Sequence, residues 1–172
     1  MPLPEPWLRG TGVEVPAVAR AVLHALELAD EDLRKWCFQL SDDELNARPA
    51  GLPPVSFQLR HIARSVDRLL TYAEDKQLTE EQTALLHAEL EHRATKTRLE
   101  AEVSRALEDA GTRIRALAHL NPEIVRYVGK DRLPTTLGGL LVHIADHTQR
   151  HVGQAITTAR VVKATTSGAF RG

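Results

Sequence analysis

Cysteine, aromatic residues and an excess of either charge are scarce in this chain. Among 172 residues there is one cysteine, and Trp, Tyr and Phe together make 4%. A single cysteine excludes an internal disulfide framework. Lys and Arg number 22 against 23 Asp and Glu, a net charge of −1. That balance gives no argument for a nucleic-acid or membrane-surface partner. No apolar run approaches the roughly 20 residues of a membrane span. The opening Met-Pro-Leu-Pro-Glu-Pro-Trp has neither the basic nor the apolar region of a secretion signal. The expectation is a cytoplasmic chain with neither nucleic acid nor membrane as partner. What the chain does have is 42% hydrophobic residues and eight histidines. A chain of this length buries roughly two thirds of its unfolded surface and needs no staples.

Residues 1–16 hold four of the nine prolines and read as an irregular arm. From there helical spacing recurs, and no good strand is evident. Val18, Val22, Ala25, Ala29, Leu33, Trp36 and Leu40 predict a first helix over 17–39. Ser41-Asp-Asp-Glu reads as a capping box opening one further turn. The prolines of Arg48-Pro-Ala-Gly-Leu-Pro-Pro enforce a loop. Leu59, Ile62, Val66, Leu69 and Ala73 predict a second long helix, with Ser56 as its cap and Glu74 near its end. Thr79-Glu-Glu-Gln starts a short helix or an ordered connection over 76–93. A third long helix spans 97–120, with Gly111 suggesting a tight helix contact. Residues 121–134 form a connection that Gly129 helps to turn. The fourth long helix begins at Thr135 or Thr136 and runs to about 164. The fold class expected is all-α, a four-helix bundle over 17–165 with long connections and a flexible tail at 166–172. Such bundles build ligand sites from side chains on facing helices.

Three histidines share the fourth helix at steps of four: His143, His147 and His151. Residues four apart stack on one face, roughly 6 Å from each other, which lets two imidazoles share one metal ion. His143 and His151 are two turns apart, roughly 12 Å, and cannot. On the helical wheel His147 and His151 point with the apolar stripe, and His143 lies at its edge. The spacing admits two readings, a metal-binding pair or two hydrogen-bonded core histidines. Neither His143–His147 nor His147–His151 has a glutamate after its first histidine, so an HExxH protease site is excluded. His61 lies about 120° from the centre of its helix's apolar stripe, between Arg60 and Arg64, and periodicity reads it as a boundary residue. His24, His87, His92 and His119 read as structural or surface residues. Asp67 and Asp146 read as solvated carboxylates, and Cys37 as a packing thiol.

Phe57-Gln-Leu-Arg-His61-Ile-Ala and Gly139-Leu-Leu-Val-His-Ile-Ala-Asp-His147-Thr-Gln-Arg-His151-Val-Gly-Gln154, together with Leu45-Asn-Ala-Arg-Pro-Ala-Gly, resemble the DinB-like superfamily, which includes the YfiT-like metal-dependent proteins. The resemblance covers nearly the whole chain, and His-x-x-x-His-x-Gly-Gln is its most specific element. It implies a divalent metal, Ni2+ or Zn2+, held by His61, His147 and His151. It also implies a homodimer, and in some relatives a low-molecular-weight thiol as cosubstrate for S-transfer. Three imidazoles with open positions suit a catalytic ion rather than a structural one, which is closed by four protein ligands. The resulting expectation is a metal-dependent transferase or hydrolase that activates water or a thiol. The alternative is a non-catalytic metal-binding or stress-linked protein. Gln154 is a candidate for hydrogen-bonding a bound ligand, and Gly153 for allowing close helix approach.

Overall fold

A computed structural model describes residues 3–89 and 93–166. The chain is predominantly helical. Among the described residues there are six α-helices: α1 (Ala17–Trp36), α2 (Asp42–Asn46), α3 (Val55–Ala73), α4 (Glu80–His87), α5 (Lys96–Leu117) and α6 (Leu137–Thr166). None is long and apolar enough to cross a membrane. Helix α6 packs against α1 and α3, and α3 packs against α5. Helices α1 and α5 also touch, less extensively. His92 and the tail residues 167–172 lie outside the described residues.

Local signals explain most element ends. Ser41 caps α2 and Thr79 caps α4, each in a reciprocal capping box, with Glu44 and Gln82 returning the bond. Thr95 caps α5 through the Arg98 N–H. At α6 the Thr136 hydroxyl accepts from the Gly139 N–H at 3.0 Å.

Three expectations are corrected. Ser56 does not cap the second long helix. Helix α3 begins at Val55, with Pro54 in the N-cap position, and Ser56 is a buried residue of its first turn. The segment read as a plain connection contains an antiparallel hairpin, β1 (Val125–Val128) and β2 (Leu133–Thr136), in register from Val125–Thr136 to Val128–Leu133. Gly129, at φ +74°, turns it in a conformation that glycine adopts without steric cost. Arg126 ties the hairpin to the end of α3, donating from Nε to the Ala73 carbonyl at 2.7 Å. The expected tight glycine contacts also fall elsewhere. Nothing lies within 4 Å of a Cβ built on Gly153. One on Gly111 meets only the Arg115 guanidinium and, at 4.0 Å, Leu23. The close approach is at Gly138, where a Cβ would stand 3.0 Å from the Pro122 ring and 3.2 Å from its carbonyl oxygen.

The core has two apolar clusters along the long helices. One gathers Leu33, Leu45, Leu59, Ile62, Leu99 and Val152. The other gathers Val22, Val66, Leu70, Ile114, Leu137 and Ile144. Helix α3 contributes to both and is buried on almost every side, including Gln58, Arg60, Ser65, Arg68 and Thr71. Cys37 is buried in the first cluster, and burial pushes its thiol up to about 12, which leaves it unreactive at neutral pH.

A three-histidine candidate metal site between α3 and α6

On α6, His147 and His151 lie between Ile144 of one core cluster and Val152 of the other. His61 on α3 meets them there. One ring nitrogen from each of the three lies within 4.8 Å of the others. His61 Nε2 and His147 Nε2 are 3.0 Å apart. Imidazole ligands of one tetrahedral ion stand roughly 3.4 Å apart, so this pair is within a few tenths of an ångström of that spacing. The rings are stacked obliquely, with centroids 4.2 Å apart for His61–His151 and 4.5 Å for His147–His151.

Two far-side partners orient the rings. His61 Nδ1 is 2.7 Å from Glu89 Oε2. A carboxylate can only accept, so Nδ1 carries the proton and a neutral His61 offers its Nε2 lone pair. His151 Nδ1 is 2.7 Å from Gln58 Oε1, an amide carbonyl that likewise accepts. These are the outer contacts that fix tautomer and raise ligand basicity in metal-bound histidines. Glu89 is itself buried and receives Arg68 Nη1 on its other oxygen at 2.6 Å. Burial alone would raise its pKa. The hydrogen bonds from His61 and Arg68 outweigh that and hold it below the ordinary carboxylate value.

Burial, and then the neighbouring His61, hold His147 and His151 at about 4. Both are therefore neutral at pH 7, the protonation state a metal ligand requires. Thr148, next to His147, has the one buried side-chain polar atom without a partner among the described residues.

The other sequence candidates are placed as follows. His143 is exposed and touches the site only through its ring, 5.4 Å from that of His147. Gln154 is exposed on α6, and among the described residues its side chain makes no hydrogen bond. His24 is half-buried and fastens the N-terminal arm through Thr11. His87 and His119 are exposed. Asp146 is exposed and paired with Arg150. Asp67 is not simply solvated, because it accepts from Arg113 and Gln82. Sequence reasoning missed Glu89, Gln58 and Arg68. Gln58 is three residues before His61, on the same helix face, which was a readable signal. Glu89 sits 28 residues away in a connection, and no local pattern marks it.

A family description, the DinB superfamily, matches residues 25–155. The chain belongs to the DinB superfamily. No curated protein and no solved structure matches it. The match spans α1 to α6 and takes in all three site histidines.

Proposed function

We propose that this DinB superfamily protein binds a divalent metal through His61, His147 and His151. We further propose that it is a metal-dependent enzyme acting on a small molecule, by hydrolysis or S-transfer. In this reading its four long helices form the superfamily's four-helix bundle. The observation that carries the proposal is the convergence of three ring nitrogens within 4.8 Å, two of them on rings whose opposite nitrogen is held by Glu89 or Gln58. Such an ion, with three protein ligands and open positions, lowers the pKa of a bound water or stabilises a bound thiolate. Imidazole ligands suit both Ni2+ and Zn2+.

The chain's own residues have definable parts in this reading. His147 and His151 supply neutral ligands from rigid α6. His61 is aimed from α3 by Glu89. Gln154, three residues beyond His151 and open to solvent, would hydrogen-bond a bound molecule. The single cysteine is buried, so any reacting thiol comes from outside the chain. Assembly as a homodimer and residence in the cytoplasm belong to the same proposal.

Metal analysis of the purified protein, with and without His147→Ala, tests the metal. One ion per chain, lost in the variant, supports it. A metal-free protein after supplementation with Ni2+ and Zn2+ overturns it. Turnover of electrophiles with a low-molecular-weight thiol then tests catalysis. A loaded but inert protein would favour a binding role.

A further inference from the structure

A second polar cluster lies beside the histidines and takes no part in orienting them. Arg60 is only 5% exposed. Among the described residues no carboxylate pairs with it, and its one hydrogen bond is a long Nη1 contact, 3.5 Å, to the Glu89 carbonyl. A guanidinium does not shed its proton in a protein, so burial without a counter-charge is costly. The charges acting on Arg60 are two like ones, Arg64 and Arg98, and one opposite, Glu102. Glu102 is already engaged, accepting from Arg64 Nε at 2.8 Å. Three guanidiniums thus share one carboxylate. Arg98 lies in the first turn of α5, where the Lys96 N–H is already met by the Asp42 carboxylate at 2.7 Å and the Arg98 side chain is exposed.

Two of the three guanidiniums, Arg64 and Arg98, line a cleft of about 580 Å³ between α3, α4 and α5, and Arg60 lies behind its wall. Arg64, Arg98 and Glu102 line it toward the start of α5. Ala63, Leu85, Ala101 and Ala106 give it an apolar wall. At the other end Asp67 and Asp109 share Arg113 with Glu74, so that end is acidic and an anion is directed to the Arg64–Arg98 end. Arginine forks match carboxylate and phosphate oxygens in pairs.

We propose that this cleft binds a small organic anion, a carboxylate or phosphate ester with a short apolar body. Its charged group would meet Arg64 and Arg98, Arg60 adding charge from behind and the alanine and leucine side chains taking the body. The proposal does not depend on the metal reading.

The test is calorimetric titration of the full chain in its His147→Ala form, so that no ion at the histidines can capture an anion. The probes are hexyl phosphate, hexanoate, inorganic phosphate and 1-hexanol. Saturable binding of hexyl phosphate or hexanoate is expected, tighter than inorganic phosphate, with no binding of 1-hexanol. Which of the two organic anions binds more tightly tells a phosphate ester site from a carboxylate site. Arg98→Gln, at an exposed position, weakens binding about tenfold or more, and Arg60→Gln does the same. Arg150→Gln, on α6, leaves it unchanged. No saturable binding of any anion up to about 10 mM, or equal affinity in Arg98→Gln, would overturn the proposal.

Discussion

Glu89 Oε2 lies 2.7 Å from His61 Nδ1, and the same carboxylate answers the buried Arg68. Glu89→Ala therefore removes two partners at once. An unpaired Arg68 and an unoriented His61 should cost about 3 kcal/mol of stability, read by urea denaturation of metal-free protein. Metal affinity, measured by chelator competition, should fall about 10–100-fold. Unchanged affinity would mean that Glu89 does not position His61.

His143 and His147 separate a neighbour from a ligand. His143→Ala should leave metal stoichiometry intact, because His143 is exposed and outside the nitrogen triangle. His61→Ala and His151→Ala should each reduce it. Equal losses across all three variants would rule out the assignment.

The pH dependence has a defined sign. His147 and His151 titrate at about 4 in the folded chain and near 6.5 when unfolded. Between those values the unfolded chain binds more protons, so folding stability rises with pH through about 4 to 6.5 and then levels. Denaturation of metal-free protein from pH 7.5 downward should show this slope. It should be shallower in the double variant His147→Leu/His151→Leu. An identical slope would remove these two residues as its source.

The glycines of α6 should respond oppositely to alanine. Gly153→Ala places a methyl in open space and should stabilise by up to about 1 kcal/mol through helix propensity. Gly138→Ala drives a methyl against Pro122, backbone included, and should lower the melting temperature. Loss of stability in Gly153→Ala would point to a partner surface at that face.

Core truncation gives a reference scale. Ile144→Ala, fully buried, should cost about 2–5 kcal/mol. Val142→Ala, exposed on the same helix, should stay within about 0.5 kcal/mol. Parallel denaturation curves compare the two directly.

The long helices were legible because their apolar residues recur at three- and four-residue steps, as in α1 and α5. The hairpin was not. Each strand has only four residues, one contains Pro134, and Val125 and Leu133 are exposed, so the alternation that marks a strand is missing. His147 and His151 were visible from spacing on one helix. His61 was not, because a stripe argument assumes one solvated face. Helix α3 is enclosed on nearly all sides, and its Gln58, His61 and Arg68 are met by side chains from other elements instead. Only the resemblance singled out His61. Glu89 depends on how a distant connection folds back, which no helical period encodes.

His61 and His147 are 86 residues apart in the chain, yet their ring nitrogens touch. An ion held there would clasp two segments separated by a long loop. Its binding energy would count toward folding in proportion to free metal concentration. A melting curve of this protein would then serve as a gauge of available metal, rising with each decade of free ion above its dissociation constant.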